Sequence, residues 1–354
     1  MGAEREAADP RTGRRSRPTI VDVAARAGVS VAAVSFAMNG RPGVAEGTRQ
    51  RILEAAAELE WHPSAPARAL TLARARAIGL VLTRPTEQLE ADPFFVRFLA
   101  GVERTLARTD HALVLRVAPG AVDLDLYGRF AAAGRVDGFL VCDPELGDPR
   151  FDVLVGAGLP AVVAGRPAGA CPFPFVETEH ARGVAAAVEH LVALGHRSVA
   201  FVGGLERHEH VQARVAAWRA VLAGAGLPAE VLEFASPGDP SGAAATARAL
   251  DAGPTAIVFA TDAMALAGLA AARERGIGVP GELSIVGFDD SPSAALAGPP
   301  LTSVRVDYAG FGEAAAATLL AMIAGEALPE FRPAPPELVV RASTATPAAR
   351  PRGS

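Results

Sequence analysis

From Ile78 to about Asp307 the chain alternates short apolar or β-branched runs with Ala/Leu-rich stretches of helical spacing, and this leaves few folds open. The runs fall at residues 78–83, 112–118, 136–142, 160–165, 198–203, 256–260, 283–288 and 302–307. Apolar runs separated by helices describe parallel strands covered by crossover helices. The body of the chain is therefore expected to be α/β with parallel sheets. Open sheets of this kind bind ligands beyond the carboxyl ends of their strands. There the sequence places Arg84, Asp143, Arg166, Asp262 and the pair Asp289-Asp290. Phe94, Phe95, Trp218 and Phe288 offer stacking surface, although Trp218, on the helix that follows Arg214, is read as core.

A different pattern precedes this body. Between Thr19 and Leu59 apolar residues recur at helical spacing in three groups: Ile20, Val23, Ala24 and Ala27; Val31, Val34 and Met38; Ile52, Leu53, Ala56 and Leu59. Gly28-Val29-Ser30 supplies a tight turn, a core residue and a good N-cap between the first two helices. Asn39-Gly40-Arg41-Pro42-Gly43 is dense in turn formers, and the third helix is expected to open near Glu46.

Charge divides the chain at the same place. Residues 1–76 carry 12 Arg against 8 acids, whereas the remainder carries 22 basic against 31 acidic residues. A positive head on a negative body suits a nucleic-acid-binding head. The two cysteines, Cys142 and Cys171, do not make a disulfide framework. No apolar run reaches the roughly 18 residues of a membrane span, and the N-terminus lacks the apolar core of a secretion signal. A cytoplasmic protein without membrane partners is expected.

The head and the segment after it resemble the lactose-repressor family of transcriptional regulators almost without a gap from Pro18 to Leu82. The marks are Thr19, Asp22-Val23-Ala24, Ala27-Gly28-Val29-Ser30, Val34-Ser35, Asn39, Val44, Thr48-Arg49 and the stretch from Pro63 to Leu70. The resemblance continues to about residue 344 through Asp92-Pro93-Phe94-Phe95, Val136-Asp137-Gly138, Leu194-Gly195-His196, Arg214 with Trp218-Arg219, Thr261-Asp262 and Val286-Gly287-Phe288-Asp289-Asp290. It implies an all-α helix-turn-helix head and an α/β two-lobed domain of the periplasmic-binding-protein kind.

The implied organisation is a disordered tail (1–17), a DNA-binding head (18–61), a hinge (62–76), an effector-binding and dimerisation domain (77–344) and a short tail (345–354). Within the large domain, lobe 1 would take about 77–177 and 309–325, and lobe 2 about 178–308 and 326–344. No heptad follows that could join two dimers, so a homodimer is expected.

The resemblance also implies roles. The second helix would enter the major groove of a pseudo-palindromic operator with Val31, Ala32 and Phe36 towards base edges. Thr19, Ser30, Ser35, Asn39 and Thr48 would donate to phosphates, and Arg49 would add charge. The hinge stretch carrying Ala67 and Leu70 would reach the minor groove, Leu70 as a wedge. Phe36 departs from the family, many of whose members place there an Arg able to bond guanine. Direct readout is therefore expected to lean on apolar contact, for instance with thymine methyls.

In the body the implied effector contacts are Phe94, Phe95, Arg214, Asp262 and Asp289. Arg214 can offer a planar fork to hydroxyls or a carboxylate, and Asp289 can accept from two sugar hydroxyls. Thr261, Val306 and Glu179-His180 depart from the usual pattern. A carbohydrate is the leading effector, with a nucleobase or other metabolite as the alternative.

Catalysis finds little support. No G-x-G-x-x-G follows the first strand, as a dinucleotide site would need. Asp289 and Asp290 are adjacent, so in an extended segment they point apart rather than sharing a proton. His208-Glu209-His210 could ligate a metal, but no third ligand stands at familiar spacing, and a polar loop near the pocket mouth is the preferred reading. No cofactor and no metal are expected.

Overall fold

The computed structural model of the protein describes residues 18–38, 42–61, 74–84, 89, 93–118, 123–167, 169–235 and 242–348. Asn39, Ala67 and Leu70, with most of the expected hinge and the N-terminal tail, lie outside these residues. The chain forms two compact units divided between Ala75 and Arg76.

The smaller unit holds three helices, α1 (Ile20–Ala27), α2 (Val31–Met38) and α3 (Glu46–Glu58). At the start of α1 the Asp22 carboxylate accepts from both the amide and the hydroxyl of Thr19, each at 2.7 Å. Those bonds hold its carboxyl below the usual range. Gly28, at φ 67°, ends α1 in the left-handed conformation that a side chain would penalise. Ser30 then caps α2, its Oγ accepting from the Ala33 amide at 3.2 Å. Apart from Ser35 the α2 helix is apolar throughout, and the core takes only part of it. Val34 and Ala37 are buried with Val23, Ala24, Ile52, Ala55 and Ala56.

The larger unit contains two sheets. The first, in order β2-β1-β3-β4-β5, is wholly parallel: β1 (Ala77–Leu82), β2 (Ala112–Val117), β3 (Gly138–Cys142), β4 (Ala161–Ala164) and β5 (Phe175–Val176). Side chains alternate between its faces, as strand geometry demands. Ile78, Leu80, Leu140 and Cys142 turn to one side, where they meet α4 (Pro93–Ala107) and α12 (Tyr308–Ala324). Val81, Phe139 and Val141 turn to the other, under α5 (Leu124–Ala132) and α6 (Arg150–Gly156). Helices α4 and α12 approach through glycine. A Cβ on Gly101 would stand 1.9 Å from the Ala309 carbonyl oxygen, and one on Gly312 2.1 Å from that of Phe98.

The second sheet runs β11-β10-β9-β8-β6-β7. Its strands are β6 (Val199–Gly203), β7 (Leu232–Phe234), β8 (Ala256–Phe259), β9 (Ser284–Phe288), β10 (Thr302–Arg305) and β11 (Glu337–Val339), parallel except for β11. It packs with α7 (His180–Ala193), α8 (Glu209–Gly224), α9 (Ala243–Asp251), α10 (Asp262–Glu274) and the short α11 (Pro292–Leu296). Trp218 is fully buried there and donates its indole N–H to the Val199 carbonyl at 3.1 Å. All eight expected strands form. The three additional ones, β5, β7 and β11, are sheet edges of two or three residues, too short to show a period in the sequence.

Candidate functional site: an effector cavity and a DNA-recognition helix

The carboxyl ends of β1, β3, β4, β6, β8 and β9 converge on one cavity of about 610 Å³, walled by both sheets' domains. Two of the acids that leave those strands do so in the left-handed region, Asp143 at φ 51° and Asp289 at φ 114°. Aspartate tolerates that region better than most residues, and the sharp exit aims each carboxylate towards the cavity.

Each acid is braced. Arg84 forks onto Asp143 with Nε–Oδ2 at 2.9 Å and Nη2–Oδ1 at 2.7 Å. Burial alone would raise this carboxyl, but the guanidinium overrides it and holds the group well below the usual carboxylate range. Beneath it the buried Arg150 donates to the carbonyls of Cys142 and Asp143, at 2.8 and 2.9 Å, fixing the loop after β3. Asp289 accepts from the Tyr308 hydroxyl at 2.7 Å. Arg97, from α4 on the first sheet, donates to the carbonyls of Asp289 and Asp290 at 2.8 and 3.0 Å. The strained turn of one lobe is thereby tied to a helix of the other.

Arg214 lies on α8, buried against the cavity, its guanidinium 3.9 Å above the Phe288 ring. Nη1 donates to the Ala260 carbonyl at 2.5 Å, Nη2 meets His180 Nδ1 at 3.0 Å, and Nε has no partner among the described residues. Because arginine can only donate, His180 must accept at Nδ1 and carry its proton on Nε2, which stands 2.7 Å from the Thr178 hydroxyl. Burial first, then the neighbouring Arg214, keeps His180 well below the ordinary imidazole value and so neutral.

Of the five effector residues expected from the sequence, the structure brings Phe94, Arg214 and Asp289 to the cavity. Phe94 sits edge-on to Tyr308 with centroids 5.0 Å apart. Phe95 does not reach the wall: one position further round α4, it is buried in the first lobe's core with Arg84 over its ring. Asp262 does not reach it either. Fully buried, it accepts from the Ser303 hydroxyl at 2.5 Å and the Ser291 amide at 2.6 Å, joining the start of α10 to β10 and to the loop after β9. Val306 likewise belongs to the core, and Asp290 pairs with Arg305 and Arg341. Thr261 and Glu179 do line the cavity.

The sequence did not single out His180's contact with Arg214, nor Tyr308. It also set aside His208 and His210, for want of a third ligand. The structure supplies one from 65 residues earlier: ligand atoms of Asp143, His208 and His210 all lie within 4.8 Å of one another.

In the smaller unit, Val31 is 41% and Phe36 39% exposed, and Ala32 is exposed beside them on the face of α2 opposite Val34 and Ala37. Thr19 is exposed, whereas Ser30, Ser35, Thr48 and Arg49 are half-buried or exposed around α2 and α3. Arg49 has a structural task that the sequence did not disclose: its Nη1 donates to the Ala37 carbonyl at 2.7 Å, holding the end of α2.

A helix-turn-helix unit with an open apolar face, joined in sequence to a two-lobed α/β domain with a cavity at its strand ends, defines a ligand-controlled DNA-binding transcriptional regulator. The comparisons agree. Residues 19–64 match the family of bacterial regulatory proteins, lacI family, and residues 188–344 match the periplasmic binding protein-like domain. The regulator CelR of Thermobifida fusca is 33% identical over 320 residues, covering 88% of this chain and 94% of CelR. A solved complex of the regulator CelR with cellobiose aligns with a TM-score of 0.71 and 31% identity, over 92% of this chain and 100% of that one. The lac repressor dimer bound to operator and an anti-inducer aligns with a TM-score of 0.81 and 26% identity, over 93% and 100%. The chain belongs to the lacI family of bacterial regulatory proteins.

Proposed function

We propose that the protein is a cytoplasmic repressor, without enzymatic activity, that binds a pseudo-palindromic operator as a homodimer and answers to a carbohydrate held in the cavity. The observation that carries the effector half is the placement of Arg214, on α8, and Asp289, at the end of β9, on the wall of one cavity. Arg214 lines it with a buried guanidinium whose Nε has no partner among the described residues, and Phe94 offers an apolar surface for a sugar ring. Neutral His180 and the Tyr308 hydroxyl add donors and acceptors suited to hydroxyl groups. The CelR complex with cellobiose makes a β-linked glucose disaccharide the first ligand to try.

For the head, α2 is the element that enters the major groove. Val31, Ala32 and Phe36 contribute apolar contact to base edges, while Thr19, Ser30, Ser35, Asn39 and Thr48 contact phosphates. Ser30 can still donate its hydroxyl hydrogen while its oxygen caps the helix. Arg49 sets the position of α2 and adds positive charge. Ala67 and Leu70 reach the minor groove from the hinge, Leu70 as the wedge.

Selection of bound sequences from random duplexes, followed by a mobility-shift titration on the selected site, tests this reading. A two-fold-related site bound by two chains is expected, with affinity that changes when cellobiose is added. Binding as a single chain, or equally to any duplex at about physiological salt, would remove the repressor reading.

A further inference from the structure

We propose that Asp143, His208 and His210 form a binding site for a divalent transition metal of the zinc type on the cavity wall, with one ligand from the first lobe and two from the second. The donor set is the kind that zinc takes: two imidazoles and one carboxylate, with further positions open to solvent or ligand. Their ligand atoms lie within 4.8 Å of one another. In a tetrahedral zinc site, bonds of about 2.0–2.2 Å put ligand atoms roughly 3.3 Å apart. Closing onto the ion therefore asks each side chain to shift by about an ångström.

The backbone under the ligands is already joined across the two lobes. Glu145 and His208 form an isolated antiparallel bridge, and the Glu209 amide reaches the Pro144 carbonyl at 3.5 Å. His208 is extended, at φ −83° and ψ 131°, immediately before α8. The two histidines of this short segment have ring centroids 5.4 Å apart. All three ligands line the cavity, so an ion held by them keeps its remaining positions on the cavity side.

The existing charges are compatible with an ion. Arg84 forks onto Asp143, yet a carboxylate has about four lone-pair sites and the fork uses two. A carboxylate fixed by a hydrogen-bonding neighbour is how proteins orient metal ligands. A second carboxylate, Glu145, stands beside the site with its Oε1 3.7 Å from His208 Nε2, and it is itself paired with Arg207 at 2.7 Å.

The test is calorimetric titration of zinc chloride into tag-free, chelator-stripped full-length protein, without DNA or sugar. One zinc per chain with a Kd of about 1 µM or tighter is expected, together with a rise in melting temperature. His210→Gln and Asp143→Asn should each weaken zinc by more than the roughly 10–100-fold that loss of an outer-shell partner costs. Glu209→Gln, between the two histidines, should leave it unchanged. Cobalt(II) in place of zinc should give the intense visible absorption of a four- or five-coordinate centre. No saturable zinc binding by the wild type would overturn the site, as would binding that survives both ligand substitutions. Because sugar and operator are absent from this titration, its failure leaves the proposed function standing. Loss of the sugar response likewise leaves the metal site standing.

Discussion

The two recognition surfaces proposed for this chain are built from opposite chemistry. The exposed face of α2 presents Val31, Ala32 and Phe36, none of which can make a directional bond to a base. The cavity of the larger unit presents arginine, aspartate and neutral histidine, each held in a fixed direction by a neighbour. With that face proposed to meet the bases, discrimination by the head is expected from methyl contact, shape and the deformability of the duplex. In the cavity it comes from hydrogen-bond geometry, where an unmatched group leaves a buried polar atom unsatisfied and costs about 1–3 kcal/mol. The proposed reading therefore has ligand selectivity set by single polar residues and operator selectivity by a surface.

The sharpest break in this contrast is expected at Asp289. Asp289→Ala removes the acceptor held by Tyr308 and should weaken sugar binding by about 100-fold, on the order of 3 kcal/mol for a charge-assisted pair. Isothermal titration with the cognate sugar reads it, and an unchanged affinity would mean that the strained turn after β9 is structural only.

A smaller effect is expected on the head. Phe36→Arg should introduce the directional bond that the native surface lacks, changing the preferred base in each half-site by about 1–2 kcal/mol. Selection from random DNA checks it. An unaltered base preference with only a steeper salt dependence would place Phe36 away from the bases.

The smallest effect concerns pH. His180 and His210 are depressed well below the ordinary imidazole value by burial first and Arg214 second. A depressed histidine contributes stability that is complete above the unfolded value of about 6.5 and is lost as pH falls towards the folded value. The melting temperature of the metal-free protein should therefore decline between about pH 6.5 and 5. His210→Gln should flatten that decline, whereas a parallel decline in the variant would assign the pH dependence to other groups.

How much of this was legible in the sequence depends on the distance over which each residue is determined. The three head helices and eight strands follow from local spacing, because parallel strands covered on both faces read as unbroken apolar runs, and the exposed edge strand β2 is still mostly apolar. Phe94 and Phe95 are equally apolar neighbours, but consecutive helical positions differ by about 100°, and only the packing of α4 against α12 decides which one meets the cavity. Asp262 stands at a strand end like Asp143 and Asp289. Ser291 and Ser303, 29 and 41 residues later, consume its oxygens. The Asp143, His208 and His210 cluster is likewise assembled across the two lobes, and no local spacing encodes it.

The central claim is that the cavity controls the DNA-binding head. Coupling requires that the effector prefer one arrangement of the lobes, and the same free energy must then appear in operator affinity. The direct measurement is the operator affinity of wild type and Arg214→Ala, by fluorescence anisotropy at fixed salt, with and without saturating sugar. The account predicts a wild-type shift of about 5–150-fold, the usual range of such coupling. It predicts that Arg214→Ala binds the operator as the sugar-free wild type does and no longer responds. A variant that responds fully at unchanged sugar concentration, or one that loses the operator outright, would contradict it.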